Sequence, residues 1–413
     1  MPHPTIKAHK GGDWSWRETS PFSQAVEVGD QVFISGQQAL TENGAIVAPG
    51  DIAAQTRCVF ENMKATLERA GLELSDLVRL NTYYVFDGAD EDATEYWEDM
   101  TRVRLEYFPD PGPAATAVRI KGMPYQGQLI QIEGIALHGE SRSNRKRIMP
   151  EGSWDWSIAV PLSQGWDVGD RLYVGGQISS DETGSAVHVG DLAAQTRAIY
   201  QFIENVLKGG NASFDDIAHV KICVKHDSRE PDGTTFLDKI LEVTKENFGT
   251  PGPAVTCFGV DLLYPGLDLE IDAMAFTRSH ARATSGNAAT KVHDGSFSDN
   301  VSVSGEIWIG GQVAQDENGQ VMAAGDIREQ SRIVFQRLKE ALALSGATLD
   351  EIVKLNLFFA SDGDDIGDEF HAAMAVWSEM APNAKPAMTP VRAYELFQTG
   401  LLIQADCIAM TAT

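Results

Sequence analysis

One helix opening occurs three times in the chain. DIAAQTR stands at 51–57, DLAAQTR at 191–197 and DIREQSR at 326–332, spaced by 140 and then 135 residues. Solenoid units recur every ~20–50 residues, whereas a spacing this long matches a whole small domain of about 100–150 residues. The chain must therefore build one domain three times, and its 413 residues allow for three.

Each copy begins with a hairpin pattern: AVEVGDQVFISGQ, GWDVGDRLYVGGQ and VSVSGEIWIGGQ. Apolar residues at strand spacing flank a tight Gly-Asp or Ser-Gly turn. A helix follows, with Asp51, Asp191 or Asp326 as N-cap, and in the third copy Glu329 is expected to complete a capping box. Its inward face recurs every three or four positions: Ile52, Thr56, Val59, Met63 and Leu67 in the first copy. The second copy repeats this with Leu192, Thr196, Ile199 and Ile203, and the third with Ile327, Ser331, Val334 and Leu338. Gly71, Gly209 and Gly346 are expected to end the three helices. A strand comes next (LVRLNTYYV, IAHVKICVK, IVKLNLFFA), then a second helix, then two strands read as a Pro-bounded hairpin. Those strands are PAATAVRI with LIQIEGIAL, PAVTCFGV with LDLEIDAMAF, and PAMTPVRA with LLIQADCIAM. The order β-β-α-β-α-β-β is that of an α+β sheet with its helices on one face. Polar stretches divide the chain into 1–138, 153–277 and 293–413, joined by linkers 139–152 and 278–292.

Composition narrows the function. Acidic residues outnumber Lys and Arg by 59 to 33, a net charge of −26, which repels a polyanion and counts against nucleic acid as partner. The basic run SRSNRKR at 141–147 falls between copies and reads as a solvated linker. The four cysteines (Cys58, Cys223, Cys257, Cys407) form no CxxC pair, which argues against a disulfide framework or structural zinc. No window has the length and apolarity of a signal peptide or membrane span, so a cytoplasmic protein is expected.

The order of motifs resembles the RidA family, also called YjgF/UK114, once per copy. That pattern runs PYSQ, SGQ, a D-[IL]-x-x-Q-[TS] helix, PAR-[ST] and a closing V-E-I strand. Here the copies read PFSQ, SGQ, DIAAQT, PAAT and IQI; PLSQ, GGQ, DLAAQT, PAVT and LEI; and SFSD, GGQ, DIREQS, PAMT and IQA. The resemblance implies chorismate-mutase-like domains. Because RidA proteins are trimers with active sites between subunits, three fused copies imply a single-chain pseudo-trimer. Fusion also frees each cleft to diverge, which three identical subunits forbid.

The resemblance implies hydrolysis of enamines and imines without metal or cofactor. The Arg of PAR, which pairs with a substrate carboxylate in the family, falls on Ala115, Val255 and Met388, so all three copies have lost it. The Tyr of PYSQ falls on Phe22, Leu162 and Phe297, and the Asn of the second helix on Thr101, Leu241 and Ala373. The acid of the closing strand becomes Gln131 and Gln404 in copies one and three and survives only as Glu270. Glutamine cannot serve as a base near neutral pH. One competent cleft centred on the second copy is therefore expected. Glu270 would be its catalytic group, and Leu162, Gly175, Val255, Cys257 and Gly259 its lining. Cys257 also reads as a small core residue. If the last two strands of each copy pair as a hairpin, Arg119 lies opposite Gln131, Arg392 opposite Gln404 and Gly259 opposite Glu270. Arg119 and Arg392 then become candidate substrate-binding groups, or plain cross-strand partners of the glutamines. The pairs Trp14/Trp16 and Trp154/Trp156 either wall a cleft mouth or pack an arm over the sheet.

Two functions compete. One is a cofactor-free hydrolase or deaminase acting on a C=N, enamine or amide bond of a small metabolite other than a simple 2-imino acid. The other is a silent ligand-binding or structural protein. Glu270 favours the enzyme, because an idle acid on a core strand is costly to bury. RNA cleavage, attached to the family by name, conflicts with the acidic charge. The chain is expected to be self-sufficient as a pseudo-trimer, with further association of chains left open.

Overall fold

The computed structural model describes residues 5–9, 21–226, 236–277, 282–285, 296–363 and 365–411. Repeat 1 contains β1 (Lys7–His9), β2 (Ala25–Val28), β3 (Gln31–Gln38), α1 (Ile52–Arg69), β4 (Leu77–Tyr84), α2 (Ala93–Tyr107), β5 (Ala114–Arg119) and β6 (Ile130–Leu137). The first polar join holds α3 (Gly139–Asn144) and β7 (Lys146–Ile148). Repeat 2 follows with β8 (Gly165–Val168), β9 (Arg171–Ile178), α4 (Leu192–Gly209), β10 (Ile217–Lys225), α5 (Phe236–Lys245), β11 (Ala254–Val260) and β12 (Leu269–Phe276). In the second join only β13 (Arg282–Ser285) is described. Repeat 3 closes with β14 (Asn300–Val303), β15 (Glu306–Val313), α6 (Ile327–Ala343), β16 (Ile352–Phe359), α7 (Gly367–Met380), β17 (Ala387–Arg392) and β18 (Ile403–Met410). The described parts of the joins are thus not bare linkers: β7 and β13 add edge strands to the sheets of repeats 2 and 3.

Local chemistry explains most of these elements. The side chains of Asp51, Asp191 and Asp326 accept from Ala54, Ala194 and Glu329 N–H at 2.9, 2.9 and 3.0 Å. The capping box expected of Glu329 does not form. The Asp326 N–H already donates to Ala323 C=O, and Glu329 turns to Arg332 at 2.7 Å. Gly71 and Gly346 end α1 and α6 with φ of +73° and +74°, but Gly209 is still helical and Asn211 (φ +59°) takes the left-handed position in repeat 2. Gly209 instead lets α4 approach Ile148 of β7.

The sheets correct the sequence reading at one decisive point. Their orders are β1-β2-β3-β6-β4-β5, β7-β8-β9-β12-β10-β11 and β13-β14-β15-β18-β16-β17. The last two strands of a repeat are not a hairpin, because the middle strand runs between them, parallel to one and antiparallel to the other. Arg119 therefore lies beside Tyr84 and Gln131 beside Tyr83. Arg392 lies beside Phe359 and Gln404 beside Phe358. Gly259 pairs with Val224, while Glu270 pairs with Cys223. The opposition of arginine to glutamine, and of Gly259 to Glu270, does not exist in the fold.

Because β5, β11 and β17 are sheet edges, each is free to dock on the following repeat, and repeat 3 returns to repeat 1. Isolated bridges join Ala114 to Ser163, Ala254 to Ser298 and Ala387 to Ser23. The inner sheet faces meet in one shared apolar core, in which Phe33 and Val78 meet Tyr173, Met274, Val301 and Val353. One chain closes the whole ring.

Candidate functional site

The three junctions share one backbone plan. In the second strand of each long hairpin the register slips at Ser35-Gly36, Gly175-Gly176 and Gly310-Gly311, a bulge that turns the strand toward the neighbouring repeat. The neighbour's edge strand comes so near that a Cβ on Gly175 would stand 3.1 Å from Ala115 N, and one on Gly310 2.7 Å from Val255 O. Repeat 1 carries Ser35 at that position, and the glycine common to the SGQ and GGQ signatures (Gly36, Gly176, Gly311) makes room instead for the side chains of Gln131, Glu270 and Gln404. At two of the junctions the serine of the preceding motif completes the joint: Ser163 Oγ donates to Gly112 O at 2.7 Å and Ser298 Oγ to Gly252 O at 2.6 Å, whereas Ser23 Oγ has no partner among the described residues.

Inside the ring, ionisable groups form a closed cycle. Thr116 of repeat 1 donates to Asp272 of repeat 2 at 3.0 Å, and Thr389 of repeat 3 to Glu133 of repeat 1 at 2.5 Å. Thr256 of repeat 2 meets His219 at 3.0 Å and hydrogen-bonds Asp406 of repeat 3, to which Asn356 donates at 2.7 Å. Arg79 pairs with Asp272, and Lys354 and Lys221 lie 2.5 and 3.9 Å from Glu133. The ionisable side chains among these, with Asn356, border a cavity of about 50 Å³ lined from all three repeats. Two lysines and Thr389 hold the Glu133 carboxyl down at about 2 although burial opposes them. Burial lowers His219 to about 3, so it is neutral there.

Glu270 stands two residues before Asp272 on the same strand face, where the bulge meets the neighbour. Its Oε1 accepts from Ala117 N–H of repeat 1 at 3.3 Å, while its Oε2 has no hydrogen-bond partner among the described residues. Burial first, and Asp272 second, push its carboxyl well above the ordinary carboxylate range, which favours the protonated form. The other two junctions differ in kind. Gln131 donates to Pro390 O at 3.0 Å and accepts from Gln38. Pro390 takes the place of Ala117 and has no N–H with which to hold a carboxylate. Gln404 fills the third junction against Gly311, its Oε1 without a partner among the described residues.

The expected lining of Glu270 is thereby divided. Leu162 and Gly175 stay at its junction, completed by Ala115 and Ala117 of repeat 1. Val255 lies under Gly310 at the junction with repeat 3. Cys257 is buried in the repeat 2 core, its thiol pushed up to about 12 by burial. Gly259 bridges Glu395 of repeat 3. Arg119 is closed by ion pairs with Asp261 and, at 2.8 Å, Asp90, and Arg392 donates to Ser361 C=O at 3.0 Å. Edge-strand docking is the reason: Glu270 reaches Ala117 on the edge strand of the previous repeat, not the edge strand of its own. Trp154 is buried and donates to Gln177 at 3.0 Å, whereas Trp156 packs at a tilt on Trp97 of repeat 1 with centroids 4.9 Å apart. Trp14 and Trp16 lie outside the described residues.

A pocket opens on the helix side of this same junction, bordered by Trp97, Thr101, Arg104, Ala115, Ala117 and Trp156. Sequence reading had no means of finding Arg104, whose only signal is a position on the outward-looking helix segment TRVRLEY.

The model of the family described as Endoribonuclease L-PSP matches residues 16–138, 156–277 and 289–411. A RutC family protein of Pyrococcus abyssi is 37% identical over 116 residues, covering 28% of this chain and 85% of that protein. A protein of Acinetobacter baylyi named 3-aminoacrylate deaminase RutC is 37% identical over 117 residues, covering 28% and 86%. A crystal structure of a chorismatase aligns over 81% of this chain and 93% of its own with a TM-score of 0.50 and 14% identity, a likeness of fold alone. With three complete matches in tandem, each carrying its own sheet and docking edge, the chain belongs to the RidA (YjgF/UK114, Endoribonuclease L-PSP) family as three fused copies.

Proposed function

We propose that the chain is a cofactor-free hydrolase of the deaminase kind, acting on a C=N, enamine or amide bond of a small molecule at the junction of repeats 1 and 2. The Glu270 carboxyl carries this reading: buried, steadied at one oxygen by Ala117, and unpartnered at the other. For an imine, the protonated carboxyl gives its proton to nitrogen. Water then adds to carbon while the carboxylate takes the water's proton, and the carbinolamine collapses with proton transfer from oxygen to nitrogen. Imine and water become carbonyl compound and ammonia, and the carboxyl ends as it began. A relative named as a deaminase supports the reaction class. Ala115 in place of arginine argues for a substrate other than a simple 2-imino acid.

A small molecule is the proposed partner, and the net charge of −26 argues against nucleic acid. Among the described residues no helix is long and apolar enough to cross a membrane. The free cysteines suit a reducing compartment such as the cytoplasm. The silent-protein reading draws on Gln131 and Gln404, and one experiment separates the two. Ammonia release is screened over a panel of imines, enamines and cyclic amides, then repeated with Glu270→Gln. A loss of ~10²–10⁴-fold in a variant with unchanged circular dichroism is expected. Near-full activity in Glu270→Gln overturns the assignment, and an inactive wild type across the panel favours the silent protein.

A further inference from the structure

We propose that Arg104 is the carboxylate anchor of the repeat 1/repeat 2 pocket, reached from the helix layer instead of the strand, and that the ligand is a carboxylate with a planar body. This rests on taking that junction as the working one. Three other arginines between the repeats hold acids: Arg79 pairs with Asp272, Arg119 with Asp261 and Arg171 with Glu306. Arg104 has none. Among the described residues no carboxylate lies in ion-pair range of it, although the chain carries 59 acidic residues. One Nη donates to Pro161 C=O at 3.0 Å, the face stands 5.8 Å from the Phe108 ring, and Nε is buried without a partner. Burial alone lowers the guanidinium to about 10, which leaves it charged at neutral pH.

The side chain is half-buried, but its Nε is desolvated, and a cation so placed without a counter-ion is costly unless something supplies the anion. Arg104 and Ala115, the position that lost its arginine, border the same pocket. The guanidinium has therefore not been lost from this junction but moved to α2. Beside Ala115 and Ala117, the latter held to Glu270, the pocket encloses only about 20 Å³, so the body of the ligand lies toward the pocket mouth. Trp97 and Trp156, in contact at 4.9 Å and tilted by 34°, supply one aromatic surface on the pocket wall for it to lie against.

The test is binding without turnover. Benzoate and its neutral analogue benzamide are titrated against the full chain at neutral pH, read by tryptophan fluorescence and checked by calorimetry. Benzoate is expected to saturate and to bind at least ~10-fold more tightly than benzamide. Arg104→Gln should weaken benzoate by ~10–100-fold and leave benzamide unchanged, as expected for one charge-assisted contact. Arg104→Lys should fall between, because an ammonium cannot offer two parallel donors. Benzoate that fails to saturate, benzoate and benzamide of equal affinity, or an Arg104→Gln variant with wild-type benzoate affinity overturns the proposal. The wild-type comparison decides even if a variant does not fold. Glu270→Gln should retain benzoate binding, so loss of the anchor and loss of the catalytic reading are read in separate experiments.

Discussion

Replacing Glu133 with glutamine tests whether the central ionic cycle holds the three repeats together. The carboxylate accepts from Asn81 at 2.8 Å and Thr389 at 2.5 Å and faces Lys354 at 2.5 Å and Lys221 at 3.9 Å, contacts drawn from all three repeats. Its pKa falls from an ordinary 4.5 to about 2. At ~1.36 kcal/mol per unit, that corresponds to about 3 kcal/mol of folding free energy. Burial of Lys354 drives its own ammonium the other way, against the attraction of Glu133, so about 3 kcal/mol is an upper figure. Breaking such a buried pair from one side typically costs ~3–5 kcal/mol, in the same range. Because the folded pKa is depressed, the contribution is complete above pH 4.5 and is lost as pH falls toward about 2. Urea unfolding of wild type and Glu133→Gln, followed by circular dichroism at several pH values, is the assay. A gap of about 2–3 kcal/mol at pH 7 that narrows below pH 4.5 is expected. A gap below ~0.5 kcal/mol, the usual range of surface substitutions, or one that does not change with pH, would show that the cycle does not carry the assembly.

Further outcomes follow from the junctions. Ala117→Pro copies the arrangement at Pro390 and removes the N–H that lowers the Glu270 pKa. The limb where activity falls as pH rises, reporting loss of the protonated acid, should then move to higher pH, and an unmoved limb would show that Ala117 does not hold the carboxyl. Since repeat 3 docks back on repeat 1 within one chain, sedimentation should find a folded core without three chains, and an obligate trimer of chains would contradict the ring.

Much of this protein is legible in its amino-acid sequence. Asp51, Asp191 and Asp326 announce the caps they form, the strand alternation is plain, and the survival of a single acid at Glu270 can be seen by laying three copies together. Such features are local: a cap, a period or a substitution is written within a few residues. The reading fails at the hairpin that is not one. Neighbouring strands in the chain are assumed to be neighbours in the sheet, yet β4 enters between β5 and β6, and nothing in either strand records that insertion. The consequence is large, because it makes β5 an edge. It hands Ala117 of one repeat to Glu270 of the next and sends Val255 and Gly259 to a different junction. It also brings Arg104 into a pocket bordered by Trp156, a residue of the following repeat. The sequence by itself determined that there are three domains and which one kept its acid. Which surfaces meet was decided only by tertiary structure, because pairing between distant strands depends on the joint packing of three sheets and not on any one segment.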